Sequence, residues 1–167
     1  DVSTIEFISD PNFTIDELQI NIGEVKAIGD GSSITFSMDQ SAISSPELFI
    51  SEWAEGNAND KYIEIANFTG AEINLDDYSL ASVSNAPSVV GEHEYWNPFT
   101  SGATIAHGDV WVVCKTGIDE TIISQCDQFN QYLSNGDDGW KLVKGSESDY
   151  TVIDSLGDFQ GDPGSGW

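Results

Sequence analysis

The side chains with the strongest claim to chemistry in this chain are carboxylates set among glycines. The stretch "NGDDGW" (135–140) puts Asp137 and Asp138 between two glycines at the entrance to an apolar run. "LDDYSL" (75–80) carries Asp76 and Asp77, and "GDFQGDPG" (157–164) carries Asp158 and Asp162. Calcium is a hard cation that collects several oxygens, so acidic loops that converge can hold it. Asn135 and backbone carbonyls would complete such a set around Asp137 or Asp138, and calcium is the one cofactor these residues raise. The competing use of the same side chains is the Asx-type turn, in which a carboxylate accepts from a nearby backbone N–H. The spacing of an EF-hand loop is absent.

Catalytic constellations are scarce. Glu52 and Glu64 fall on neighbouring candidate strands and could imitate the carboxylate pair of a glycosidase. Structural glutamates that face solvent or bind turn N–H groups give the same pattern. His93 and His107 are the only histidines, and with Cys114 and Cys126 they match no common zinc spacing. No nucleophile elbow, P-loop or dinucleotide-binding glycine run occurs. Two histidines leave general acid–base chemistry few candidates, so the chain reads as non-enzymatic. Eleven residues separate the two cysteines. In an oxidising compartment they would close one disulfide, worth about 2–4 kcal/mol for a loop of that size; otherwise they would be buried thiols. Asn12-Phe13-Thr14 and Asn67-Phe68-Thr69 are glycosylation sequons in a eukaryotic secretory setting.

These side chains belong to a strongly acidic molecule. Twenty-nine Asp and Glu oppose five Lys, with no Arg, for a net charge of −24. Nucleic acid requires clustered cations and anionic membranes repel such a surface, so neither is an expected partner. A saline or calcium-bearing exterior screens the charge, which points to a secreted or cell-surface protein. No apolar stretch is long enough to cross a bilayer as a helix.

The elements that must position these residues are short strands. "ELQINIGEV" (17–25) and "SSITFSM" (32–38) alternate about "GDG" (29–31), which predicts a hairpin. "TIEFISD" (4–10) is a further candidate strand, and "SAISSPE" (41–47) reads as a linker. Strands then recur at 47–53, 61–68, 71–75, 78–84, 109–115, 140–145 and 151–157, separated by Gly, Asn and Asp. That rhythm indicates an all-β sandwich. "DVWVVCK" (109–115) is apolar on both faces, as a central strand should be. Residues 119–133 show helical spacing, predicting one or two helical turns. Residues 85–103 read as a long loop whose Tyr95, Trp96 and Phe99 plug the core or form a contact patch.

The order of these motifs resembles the lamin-tail domain family, in its secreted bacterial and algal form. "LFISEWAEGNANDKYIEIANFTGAEINLDDYSLAS", "TIAHGDVWVVC", "LSNGDDGWKLVKG" and "VIDSLGDFQGDPGSGW" follow the family's segments in order over residues 47–167. The resemblance implies an immunoglobulin-like β-sandwich that serves as an interaction module without catalysis. Residues 1–46 would then be an N-terminal β-strand or hairpin appendage. It also implies that Asn67 is a turn residue bonded to backbone, leaving Asn12 as the better glycan acceptor, and that the "NGDDGW" carboxylates shape a turn. The family's final strand has no counterpart here, so the sandwich is expected to be one strand short. Three explanations compete: a longer parent chain, return of a segment of 1–46 in the same molecule, or its donation to a neighbouring copy. The last would make the protein a polymer subunit, with other copies or a larger extracellular assembly as partners. The alternatives are an accessory domain of a secreted nuclease or phosphatase, or a carbohydrate-binding module with Trp96, Trp111 or Trp140 as stacking platforms.

Overall fold

A computed structural model describes residues 5–8, 25–28, 33–38, 44–133 and 136–164. The chain divides into two compact units, residues 1–44 and 45–167. The smaller is a three-stranded antiparallel sheet of β1 (Ile5–Ile8), β2 (Val25–Ile28) and β3 (Ser33–Met38), in the order β1-β3-β2. β3 pairs with β2 from Val25↔Met38 to Ile28↔Thr35 and with β1 from Ile5↔Phe36 to Ile8↔Ser33. Within the hairpin expected around 29–31, the described pairing joins Val25–Ile28 to Thr35–Met38. Residues 17–24 lie outside the described residues.

The larger unit is an immunoglobulin-like β-sandwich. One sheet has the order β11-β10-β5-β4, built from Gln128–Asn130, Asp109–Lys115, Lys61–Asn67 and Phe49–Glu55. The other has the order β13-β12-β7-β8, built from Asp149–Leu156, Gly139–Ser146, Tyr78–Val83 and Tyr95–Pro98. A short ribbon pairs β6 (Ile73–Asn74) with β9 (Thr104–Ile105).

Alternation decides which side chains form the core. On β5, Ile63 and Ile65 are fully buried while Tyr62 and Glu64, between them, stay partly exposed. Ile63, Ile65 and Val113 from one sheet share a single cluster with Tyr78, Leu80, Trp140 and Leu142 from the other. β7 is buried at every position, because β12 and β8 flank it. β10 is central in its sheet, and its second face is also covered: Val112, Cys114 and Ile118 form a smaller cluster with Tyr62, Ile122 and Cys126.

Two expectations change. The helix sought at 119–133 is one 3-10 turn, Ile123–Gln125, followed by β11, which runs parallel to β10. The apolar residues at helical spacing split between two jobs: Ile122 and Cys126 pack on the outer cluster, whereas Phe129 on β11 is 48% exposed. The long loop at 85–103 contains β8, an edge strand paired to β7 from Tyr95↔Ser82 to Pro98↔Ser79. Phe99 is buried as a plug, and Tyr95 points the other way, 55% exposed.

Beyond β13 the chain folds back. The Gly91 N–H donates to the Phe159 carbonyl at 2.7 Å, and Lys141 Nζ sits 3.8 Å over the Phe159 ring. Phe159 is buried against Gly139, where a Cβ would stand 2.6 Å from the Asp158 carbonyl oxygen and 2.7 Å from the ring. Glycine at 139 is thus a condition of this close approach.

Candidate interaction surface

Each lateral side of the sandwich is formed by one edge strand from each sheet. On the first side these are β8 and β11, and amide side chains bridge them. Asn130 Nδ2 donates to Asn97 Oδ1 at 3.0 Å, Gln128 Nε2 donates to the Pro98 carbonyl at 3.2 Å, and Gln128 Oε1 accepts from the Thr100 N–H at 2.9 Å. Asn97 is itself anchored, donating to the Leu80 carbonyl at 3.0 Å. Alternation sends Gln128 and Asn130 into this bridge and leaves Phe129 outside. Tyr132 follows in a turn closed by its N–H donating to Asn130 Oδ1, and it is 78% exposed. The cystine Cys114–Cys126, with Cα atoms 5.7 Å apart, ties the approach to β11 onto β10. Residues 95–108 and 128–136 contain no Asp, Glu or Lys. In a molecule of net charge −24, the edge strands of this side thus present amides and exposed aromatics, with Lys115 and Asp138 set behind them.

The second side is formed by β4 and β13. Each carries a one-residue bulge, at Ser51 in β4 and at Ile153 in β13, where the register skips. A single acid links the strands: Asp154 Oδ2 accepts from the Ile50 N–H at 2.9 Å. Bulges and inward-reaching charge are the usual protections of an edge against unwanted pairing. Just before β4, Glu47 joins this side to the second sheet. It accepts from the Tyr78 hydroxyl at 2.6 Å, the Lys144 ammonium at 3.1 Å and the Leu48 N–H at 3.1 Å. Burial pushes the Glu47 carboxyl up, but these donors outweigh it and hold it below the ordinary value. The Tyr78 hydroxyl is raised by burial and by its bond to Glu47.

The acidic side chains accept backbone bonds, Asp158 and Asp162 within their own turns and Asp76 and Asp138 from distant loops. Asp76 Oδ1 accepts from the Gly102 N–H, Asp158 Oδ1 from the Gln160 N–H, Asp162 Oδ1 from the Gly164 N–H, and Asp138 Oδ1 from the Asn85 N–H, at 2.6–2.9 Å. Asp77 is exposed in the turn before β7, and its carbonyl accepts from the Gly145 N–H. Asp137 keeps one oxygen, Oδ1, buried without a donor among the described residues. No three His, Cys, Asp or Glu side chains lie close enough to share a metal ion among the described residues. Glu52 and Glu64 stand directly opposite on β4 and β5, each accepting from a hydroxyl, Tyr62 at 2.8 Å and Ser51 at 2.7 Å respectively. The bond to Glu52, then burial, raises the Tyr62 hydroxyl.

At the Asn67 sequon the side chain is the backbone-bonded turn residue that the resemblance implied. Its side chain is fully buried and uses both polar atoms. Nδ2 donates to the Ala71 and Ile105 carbonyls at 2.8 and 2.7 Å, while Oδ1 accepts from the Thr69 N–H and hydroxyl. An amide nitrogen so placed is not open to a glycan. Asn12 and Asn135 lie outside the described residues. The indoles are equally poor stacking platforms. Trp140 is 2% exposed, the Trp111 indole nitrogen is buried, and Trp96 is wedged against His93 and Tyr150 with centroids 5.4 Å apart.

Two packed sheets, one antiparallel and one mixed by the parallel β11, with turns held by side-chain acceptors, define an immunoglobulin-like β-sandwich. The chain belongs to the lamin tail domain family, whose model matches residues 41–158. That family is immunoglobulin-like and non-catalytic. A search of the curated proteins returned no match. Among the described residues no helix is long and apolar enough to cross a membrane.

Proposed function

We propose that the chain is an extracellular, non-enzymatic module of structural or adhesive role that meets other copies of itself through the β8/β11 side. The observation that carries this is the placement of Tyr95, Phe129 and Tyr132, each about half exposed or more, on two segments that carry no charged residue. Protein interfaces are rich in exposed aromatics and poor in acids at their centres. Two molecules this acidic repel each other, so a self-contact needs a patch to which neither brings charge, and an isologous pairing of this side provides one. The disulfide supports an oxidising exterior. Strand donation would instead use β4 or β13, both bulged, with the Ile50 N–H already bonded; the geometry favours the aromatic side.

Sedimentation of the full chain tests this, at an ionic strength near ~1 M, where the Debye length is about 3 Å. The expected result is a dimer that Tyr95→Ser with Tyr132→Ser returns to monomer, while Val152→Ser on β13 changes nothing. A monomer at every concentration, or an association broken by Val152→Ser alone, overturns the proposal.

A further inference from the structure

A cavity of about 450 Å³ opens between the sheets beside β8, and Tyr95 and Tyr132 stand at its rim. Its volume lies within the ~300–1,000 Å³ of small-molecule sites. Its lining mixes both kinds of hydrogen-bonding group. Lys115, from β10, donates to the Leu133 carbonyl at 3.0 Å and has protons to spare. Ser82 and the carboxyl of Asp138 are acceptors, both nearly buried. Trp140 also lines it, 2% exposed, and its indole N–H is buried with no acceptor among the described residues. Orphaned buried donors are rare because they are costly. One lining a cavity is satisfied when an oxygen enters.

We propose that this cavity is a binding site for a neutral pyranose sugar. The overall charge of −24 disfavours an anion, and no apolar ligand would satisfy the polar lining. A pyranose suits both features: hydroxyls around its rim meet donors and acceptors, and its C–H face lies on an exposed aromatic ring. The platforms are the two tyrosines, since the indoles are packed away. The inference is independent of self-association, although both use Tyr95 and Tyr132.

The test is a titration of the isotope-labelled full chain with cellobiose, maltose, lactose and N,N′-diacetylchitobiose, following the Trp140 indole resonance in proton–nitrogen spectra. At least one sugar is expected to move that resonance with a dissociation constant of about 1 mM or tighter. Tyr132→Ala, at an exposed site, should weaken the response about tenfold or more, a loss of roughly 1.4 kcal/mol. Ser82→Val, which fills the cavity from inside and gives up only the 3.4 Å bond from Asn97 Nδ2 while the 3.0 Å bond from Asn97 to the Leu80 carbonyl remains, should abolish it in a chain whose proton–nitrogen spectrum is otherwise that of the parent. The proposal fails if no sugar moves Trp140, if the shifts fall on Trp96 instead, or if polyproline moves Trp140 where the sugars do not. Loss of sugar binding with self-association intact, or the reverse, separates the two readings.

Discussion

The two lateral sides of the sandwich solve the same problem in opposite ways. Both expose edge strands with unpaired backbone groups. The β4/β13 side guards them with a bulge in each strand and the single acceptor Asp154. The β8/β11 side joins its edges with Asn97, Gln128 and Asn130, and presents aromatics beyond them. An edge guarded by charge and irregularity resists company. An edge closed by neutral amides is stable and can still be approached.

The sharpest way to break this contrast is to remove the disulfide. Cys114→Ala with Cys126→Ala is expected to cost about 2–4 kcal/mol in urea unfolding. The loss should be local: hydrogen exchange speeds up at 113–115 and 128–130 and stays unchanged along β4 and β13. Uniform acceleration on both sides would show that the two are not independent.

A smaller effect compares the bridges themselves. Asn130→Ala removes the donor to Asn97 and the acceptor for the Tyr132 N–H, and should cost about 1–2 kcal/mol. Asp154→Ala frees the Ile50 N–H and the solvent-exposed Ser155 N–H, and should cost about 1 kcal/mol. It should also raise turbidity on storage, because an unguarded edge pairs. Equal costs without turbidity would erase the distinction.

The smallest effect is a pH dependence confined to the guarded side. The folded Glu47 carboxyl is held below its ordinary 4.5. Its contribution is therefore complete above that value and is lost as pH falls through the depressed folded pKa. Glu47→Gln should flatten the stability–pH curve in that acid window and leave it unchanged near neutrality. A curve identical to the parent's would show that the Tyr78 and Lys144 contacts carry no linkage.

Much of the sandwich is legible in the sequence, because alternation and turn residues act locally. "KYIEIANF" sorts its two faces without help, and "DVWVVCK" announces a strand covered on both. What escapes is set by distant partners. Phe129 has helical spacing from Ile122 and Cys126, yet Gln128 and Asn130 find acceptors and donors on β8, thirty-odd residues earlier, and the chain extends. Trp96 and Tyr95 are adjacent, and only the pairing of β8 with β7 decides which packs and which is exposed. The runs without charge, 78–91, 95–108 and 128–136, are legible in the sequence, but only the pairing of β8 and the bridge to β11 bring the last two together. The acidic loops were the more conspicuous feature; Asp158 and Asp162 hold their own turns, while Asp76 and Asp138 pin loops 26 and 53 residues away.

The parallel placement of β11 has a practical outcome for resistance to proteolysis. Parallel neighbours need a crossover, and here that crossover is shut into a covalent ring by Cys114 and Cys126. A protease that cuts the exposed segment within the ring severs a peptide bond but releases nothing. The halves stay attached, and the face bearing Phe129 and Tyr132 survives the nick.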